Sequence, residues 1–319
     1  MSTGGKTLDV SALLMPLCAW PHTSGRILMA RCTMVVIGGP YIRTKHIEDW
    51  DMATQSATAM RVRSEQKATE AAPRTSFFFW SSVLLLSFLL IGFAPTLYLR
   101  AFFAVAPIPG YLYVHGAVLT AWFAWLVVQT TMVRTGRIAL HRRLGVVGAV
   151  IAAAVIVASL MATMGFVARL RAAGIDWDTD MSAVPALGIE GQPMVQFASE
   201  VFWGNSIGTT VFTALVVAAI LLRRRPQAHK RLMLLASIAL VGPALARISR
   251  WAVFGGEDSL FVPIVFLGLL VVLIVYDLVS ARRPHRATLI GCGAIVLALI
   301  AAQLIAHSGF GLAVVRMIG

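Results

Sequence analysis

The pattern of the chain from Phe77 onward is one of long apolar blocks separated by short polar connections. A helix rising 1.5 Å per residue needs about 20 such residues to cross ~30 Å of hydrocarbon. On that measure spans are predicted at about 77–98, 109–132, 144–167, 201–222, 232–254, 260–280 and 288–307. Short alternating segments, the signature of an outer-membrane barrel, are absent, and a continuous run such as Val146 to Leu160 does not suit a two-sided strand. The expected fold is an all-α membrane protein, a seven-transmembrane-helix bundle.

The connections set the expected orientation through their positive charge. Arg134, Arg137, Arg142 and Arg143 fill the second, Arg223, Arg224, Arg225, Lys230 and Arg231 the fourth, and Arg282, Arg283 and Arg286 the sixth. The odd connections hold Arg100, then Asp176, Asp178, Asp180 and Glu190 after Arg169 and Arg171, then Glu257 and Asp258. With Arg61, Arg63, Lys67 and Arg74 ahead of the first span, the expectation is an amino terminus inside and a carboxyl terminus outside. The lysines Lys6, Lys45, Lys67 and Lys230 all lie outside the spans. That excludes a Schiff-base retinal protein.

Residues 1–76 read differently. Val10 to Leu17 is short and Ile27 to Gly39 is interrupted by Arg31 and Cys32, so neither makes a span, and a secretory signal's ordered regions are lacking. The segment is expected to be a poorly ordered cytoplasmic extension. Met52 and Met60, just upstream of the first span, fit a mis-called start.

Composition agrees with lipid as the main solvent: 58% of residues are hydrophobic and 13% charged, against about half and a quarter in soluble domains. The net charge of +13 is carried in clusters between apolar blocks without interleaved aromatics, so no nucleic-acid partner is expected. Anionic lipid at the cytoplasmic face is the expected partner of those clusters. Cys18, Cys32 and Cys292 form no CxxC pair. Asp176, Asp178 and Asp180 begin like a calcium loop, but Met181 and Leu187 occupy its glycine and glutamate positions. No Walker loop, HExxH or GxSxG is present, and the reading leans away from an enzyme.

Three histidines recur where a basic connection enters a span: His141 before Arg142-Arg143-Leu144, His229 before Lys230-Arg231-Leu232, and His285 before Arg286. They suggest a weak repeat of helix hairpins. Neutral imidazole ligates haem iron, and helix amino termini and neighbouring cations disfavour its charged form. The plainer alternative makes all three interfacial residues. His115 lies inside the second span, where an ionisable group is a functional candidate by its cost of burial, and His307 at the end of the last span is a candidate to join it. Arg247 and Arg250, one turn apart after Pro243, require an anion or the headgroup region, and Asp277 is expected to pair with a cytoplasmic arginine.

The segments His115-Gly116, Leu140 to Gly145 (LHRRLG), His229 to Met233 (HKRLM) and Tyr276-Asp277 resemble an uncharacterised group of bacterial seven-span membrane proteins, over about residues 77 to 300. More distantly, LHRRLG and HKRLM are similar to segments of predicted membrane proteins that look like di-haem b-type cytochromes. The resemblance implies haem b held by an outer site of His115 and His307 and an inner cluster of His141, His229 and His285. The expected function is a haem-binding or redox component of the bacterial cytoplasmic membrane. The alternatives are a transporter or small-ligand-binding protein using Arg247, Arg250 and His115, and a non-catalytic assembly partner.

Overall fold

The computed structural model describes residues 48–103, 107–172, 174, 176–180, 192–251 and 260–318. Expectations placed on 1–47, including Cys18 and Cys32, and on Met181, Leu187, Glu190, Glu257 and Asp258 lie outside the described residues, as do the side chains of Arg63, Lys67 and Arg74. The chain divides after Thr58 into two compact units. Residues 48–58, the described part of the first, are helical; the second runs from Ala59 to Gly319.

All named elements are helical: α1 (Glu48–Phe93), α2 (Gly110–Arg134), α3 (Ile138–Ala172), α4 (Met194–Leu221), α5 (Pro226–Ala239), α6 (Gly242–Ser249), α7 (Phe261–Ala281), α8 (Arg286–Ala306) and α9 (Gly309–Ile318). Among the described residues six stretches are long and apolar enough to cross a membrane, or seven if α5 and α6, bent by 44°, count as one. This is a multi-pass membrane architecture. Helix α3 runs beyond the expected 144–167 at both ends, because Arg142 and Arg143 in its first turns and Arg169 and Arg171 in its last are good helix formers at the interface.

The expected unbroken span at 232–254 is interrupted. Pro243 has no N–H for the carbonyl of Ala239 and its ring crowds that position, so α5 ends at Ala239 and α6 restarts at Gly242. The first span is also modified, since α1 gives way at Phe93 to a π-helical turn, Ala94–Tyr98, that contains Pro95.

Apolar side chains sort by depth within the bundle. Phe123, Phe212, Leu235, Leu245 and Leu273 are fully buried, while Val146, Val150, Val157 and Met161 stand exposed along α3 at helical spacing, as a lipid-facing stripe requires. Polar side chains tie the helices: Trp122 Nε1 donates to Ser237 Oγ at 3.2 Å, and Ser82 and Thr130 hydroxyls meet at 2.9 Å. Gly208, of the Gly204/Gly208 pair, backs onto the Ala239 carbonyl where α5 ends, whereas Gly204 faces open space. Helix α9 packs Val315 against Val167, Ala198 and Phe202, and Arg316 pairs with Asp178 at 2.5 Å.

Candidate functional site

Two helix hairpins return histidines to the helix they have just left. Between α2 and α3, Gly136 adopts φ +75, a left-handed turn that glycine enters without strain, and the chain reverses within three residues, 135–137. His141, in the first turn of α3, thereby faces the backbone carbonyl of Gln129. Between α4 and α5, Pro226 starts the new helix with its φ already set. His229 then places Nδ1 2.9 Å from the carbonyl of Ala219.

The two hairpins bring His141 and His229 together, with ring centres 6.3 Å apart and planes at 75°. Because a carbonyl only accepts, the Ala219 contact puts the His229 proton on Nδ1 and leaves the Nε2 lone pair free, the usual second-sphere support for a metal-ligating histidine. Nδ1 of His141 is buried and makes no hydrogen bond among the described residues. Nearby on α2, one turn apart, Trp125 Nε1 and both amide atoms of Gln129 are likewise buried without partners. Gly148 of α3 lies against Trp125: a Cβ there would sit 3.0 Å from Nε1.

His285 engages other partners. It caps α8, its Nδ1 accepting the Ala287 N–H at 3.1 Å, and its own N–H donates to Asp277 Oδ2 at 2.9 Å. Asp277 is the hub of this end of the bundle. Its Oδ1 accepts Nε and Nη2 of Arg231, and Oδ2 also accepts the Thr288 hydroxyl at 2.5 Å. Nη1 of Arg231 is used on the Gln227 carbonyl and side-chain oxygen, both at 2.8 Å. Burial, and next the Arg231 charge with Lys230 and Arg283, hold the His285 imidazole below its ordinary range against the pull of Asp277. This network ties α5, α7 and α8 together.

At the other end of the bundle the remaining candidates separate. His307 caps the end of α8, with Nδ1 on the Gln303 carbonyl at 2.9 Å and Nε2 3.3 Å from Glu200. His115 instead faces the Ala158 carbonyl and lies within electrostatic reach of Arg247, and its Nδ1 is buried without a hydrogen bond among the described residues. Arg247 donates to the Pro243 carbonyl at 3.0 Å and covers the Phe93 ring at 4.2 Å. Arg250, at the end of α6, is exposed.

Trp125, Gln129 and Thr96 were not singled out by the residue pattern. Two polar side chains four apart inside an apolar span, Trp125 and Gln129, are the available signal, since a membrane helix tolerates them only with partners. Among the described residues, no group of three or more His, Cys, Asp or Glu is arranged to hold a metal ion. Compared with known protein families, with curated proteins and with solved structures, the chain matches none.

Proposed function

We propose that the chain is a haem-binding redox component of the bacterial cytoplasmic membrane, carrying one haem b between His141 and His229. The observation that carries this reading is the spacing of the two rings. His141 and His229 would hold the haem iron through their imidazole nitrogens, which requires both rings to lie within reach of one metal at bonds of about 2 Å. The 6.3 Å between His141 and His229 suits that arrangement. A single site is proposed, not two, because His115 and His307 have separate partners and His285 is committed to its cap.

Bound haem would supply one-electron transfer. The chain's own residues do the rest: Ala219 fixes the His229 tautomer, and Trp125 and Gln129 offer buried hydrogen-bonding atoms beside the pair. Seven spans with the amino terminus inside and the carboxyl terminus outside are part of the proposal. They are supported by exposed Arg137, Arg142, Arg143, Arg223 and Arg224 clustering at the histidine end, where anionic lipid would meet them.

The test is the visible spectrum of the detergent-purified full chain, expressed with ample haem, oxidised and then reduced with dithionite. A Soret band with a reduced α-band, lost in His141→Ala and in His229→Ala but kept in His307→Ala, is expected. A well-folded, colourless protein overturns the reading.

A further inference from the structure

The two interrupted spans meet each other at the end of the bundle away from the histidine pair. Gly92, next to the π-turn, lies so close to α6 that a Cβ there would fall 2.5 Å from the Ala244 carbonyl oxygen. On its other side the π-turn rests on α2, where Gly116 leaves space for Leu97, and Tyr98 shares a 2.6 Å hydrogen bond with Thr120. Irregular backbone at such depth is tolerated where it is enclosed by protein or lines a binding site.

The three elements that meet here each carry a side chain with unused capacity. Thr96 Oγ1, on the π-turn, and His115 Nδ1, on α2, are both buried and make no hydrogen bond among the described residues. Arg247, on α6, is half-buried and has no carboxylate partner among the described residues. Among the described residues its partners are a backbone carbonyl and an aromatic face, which leave most of its donors unused. Arg100 brings another cation to the π-turn, donating to the Thr96 carbonyl at 3.1 Å. A cation held in a membrane bundle without an acid calls for an anion.

We propose that this junction binds one phosphate-type oxyanion, with Arg247 as its cation and Thr96 and His115 as its hydrogen-bonding groups. Phosphate fits better than a simple halide because the guanidinium fork matches two of its oxygens. A phosphate that keeps one proton can both donate and accept, so it satisfies His115 Nδ1 in either tautomer. The site lies 14 positions along α2 from Gln129, about 20 Å at helical rise, and so is independent of the haem reading. The phosphate is either free in solution or the headgroup of an anionic lipid.

The full chain is reconstituted in nanodiscs of neutral phosphatidylcholine, and equilibrium binding of radiolabelled inorganic phosphate is measured. Protein purified from native membrane is separately extracted for bound anionic phospholipid. One saturable phosphate site, weakened at least tenfold in Arg247→Gln and several-fold in Thr96→Val, establishes a free oxyanion. No phosphate binding, but about one retained anionic phospholipid per chain that both variants lose, establishes a lipid headgroup. If neither readout differs between wild type and Thr96→Val, a variant lacking only a hydroxyl with no recorded partner, the proposal is overturned even where Arg247→Gln fails to fold.

Discussion

Arg231 and Asp277, 46 residues apart in sequence, meet through Nε and Nη2 on one carboxylate oxygen at 2.9 and 2.5 Å. Their side chains are 4% and 0% exposed. Removing one partner strands the other charge inside the bundle. Asp277→Ala is therefore expected to destabilise the protein by about 3–5 kcal/mol, measured by denaturant titration in detergent. An apolar double replacement, Arg231→Met with Asp277→Leu, should cost less than Asp277→Ala alone. A double variant as unstable as the sum of the singles would show that the pair is not coupled.

Acid should loosen the same end of the bundle. Nδ1 of His285 accepts the Ala287 N–H, so the neutral ring carries its hydrogen on Nε2 and a second proton must land on the capping atom. The folded-state pKa lies below the ordinary 6.5, so as pH falls the unfolded chain takes up the proton first. The stabilisation is complete above about pH 6.5 and is lost as pH falls through the lower folded value. The thermal midpoint should be level near neutrality and drop on acidification. His285→Asn, which keeps a cap but does not titrate, should flatten that drop.

The glycines Gly92 and Gly291 should differ sharply on replacement by alanine. A Cβ at 92 meets backbone, the Ala244 carbonyl, whereas a Cβ at 291 meets the far end of the Leu235 side chain, each at 2.5 Å. Backbone between packed helices cannot step aside, so Gly92→Ala is expected to cost about 1–3 kcal/mol. Leu235 can turn, and alanine favours the helix, so Gly291→Ala should be close to neutral. Melting the two variants side by side decides the point.

His307→Ala should change little. Its pairing with Glu200 is at 3.3 Å on an exposed surface, the side chains being 54% and 30% accessible, and such pairs are worth at most about 1 kcal/mol. A large loss of stability in this variant would assign the end of α8 a role the contacts do not explain.

The apolar blocks made the spans legible because lipid imposes a length and a composition on each helix independently of its neighbours. The stretches around Leu126, Val155, Leu215, Leu270 and Ile295 could be placed from sequence for that reason. What depends on neighbours could not. The break at Leu240 is caused by Pro243 three positions later, yet many membrane helices keep a proline without stopping. Helix α9 is too short to register as a span, and its buried face is created by the neighbours it packs on, among them α3, α4 and Ile305 of α8. For the candidate site, recurrence flagged His141 and His229, but their approach to one another depends on how tightly each hairpin turns. His285, from the third recurrence, is diverted to a cap by Asp277, a residue of the preceding helix.

The Asp277 hub also makes one helix dependent on two others. Until its partners are in place, the carboxylate is a penalty on the insertion of an otherwise apolar α7, and those partners come from α5, through Arg231, and from the start of α8, through Thr288 and the His285 N–H. Asp277→Leu would therefore make α7 easier to insert while leaving it less firmly held by its neighbours.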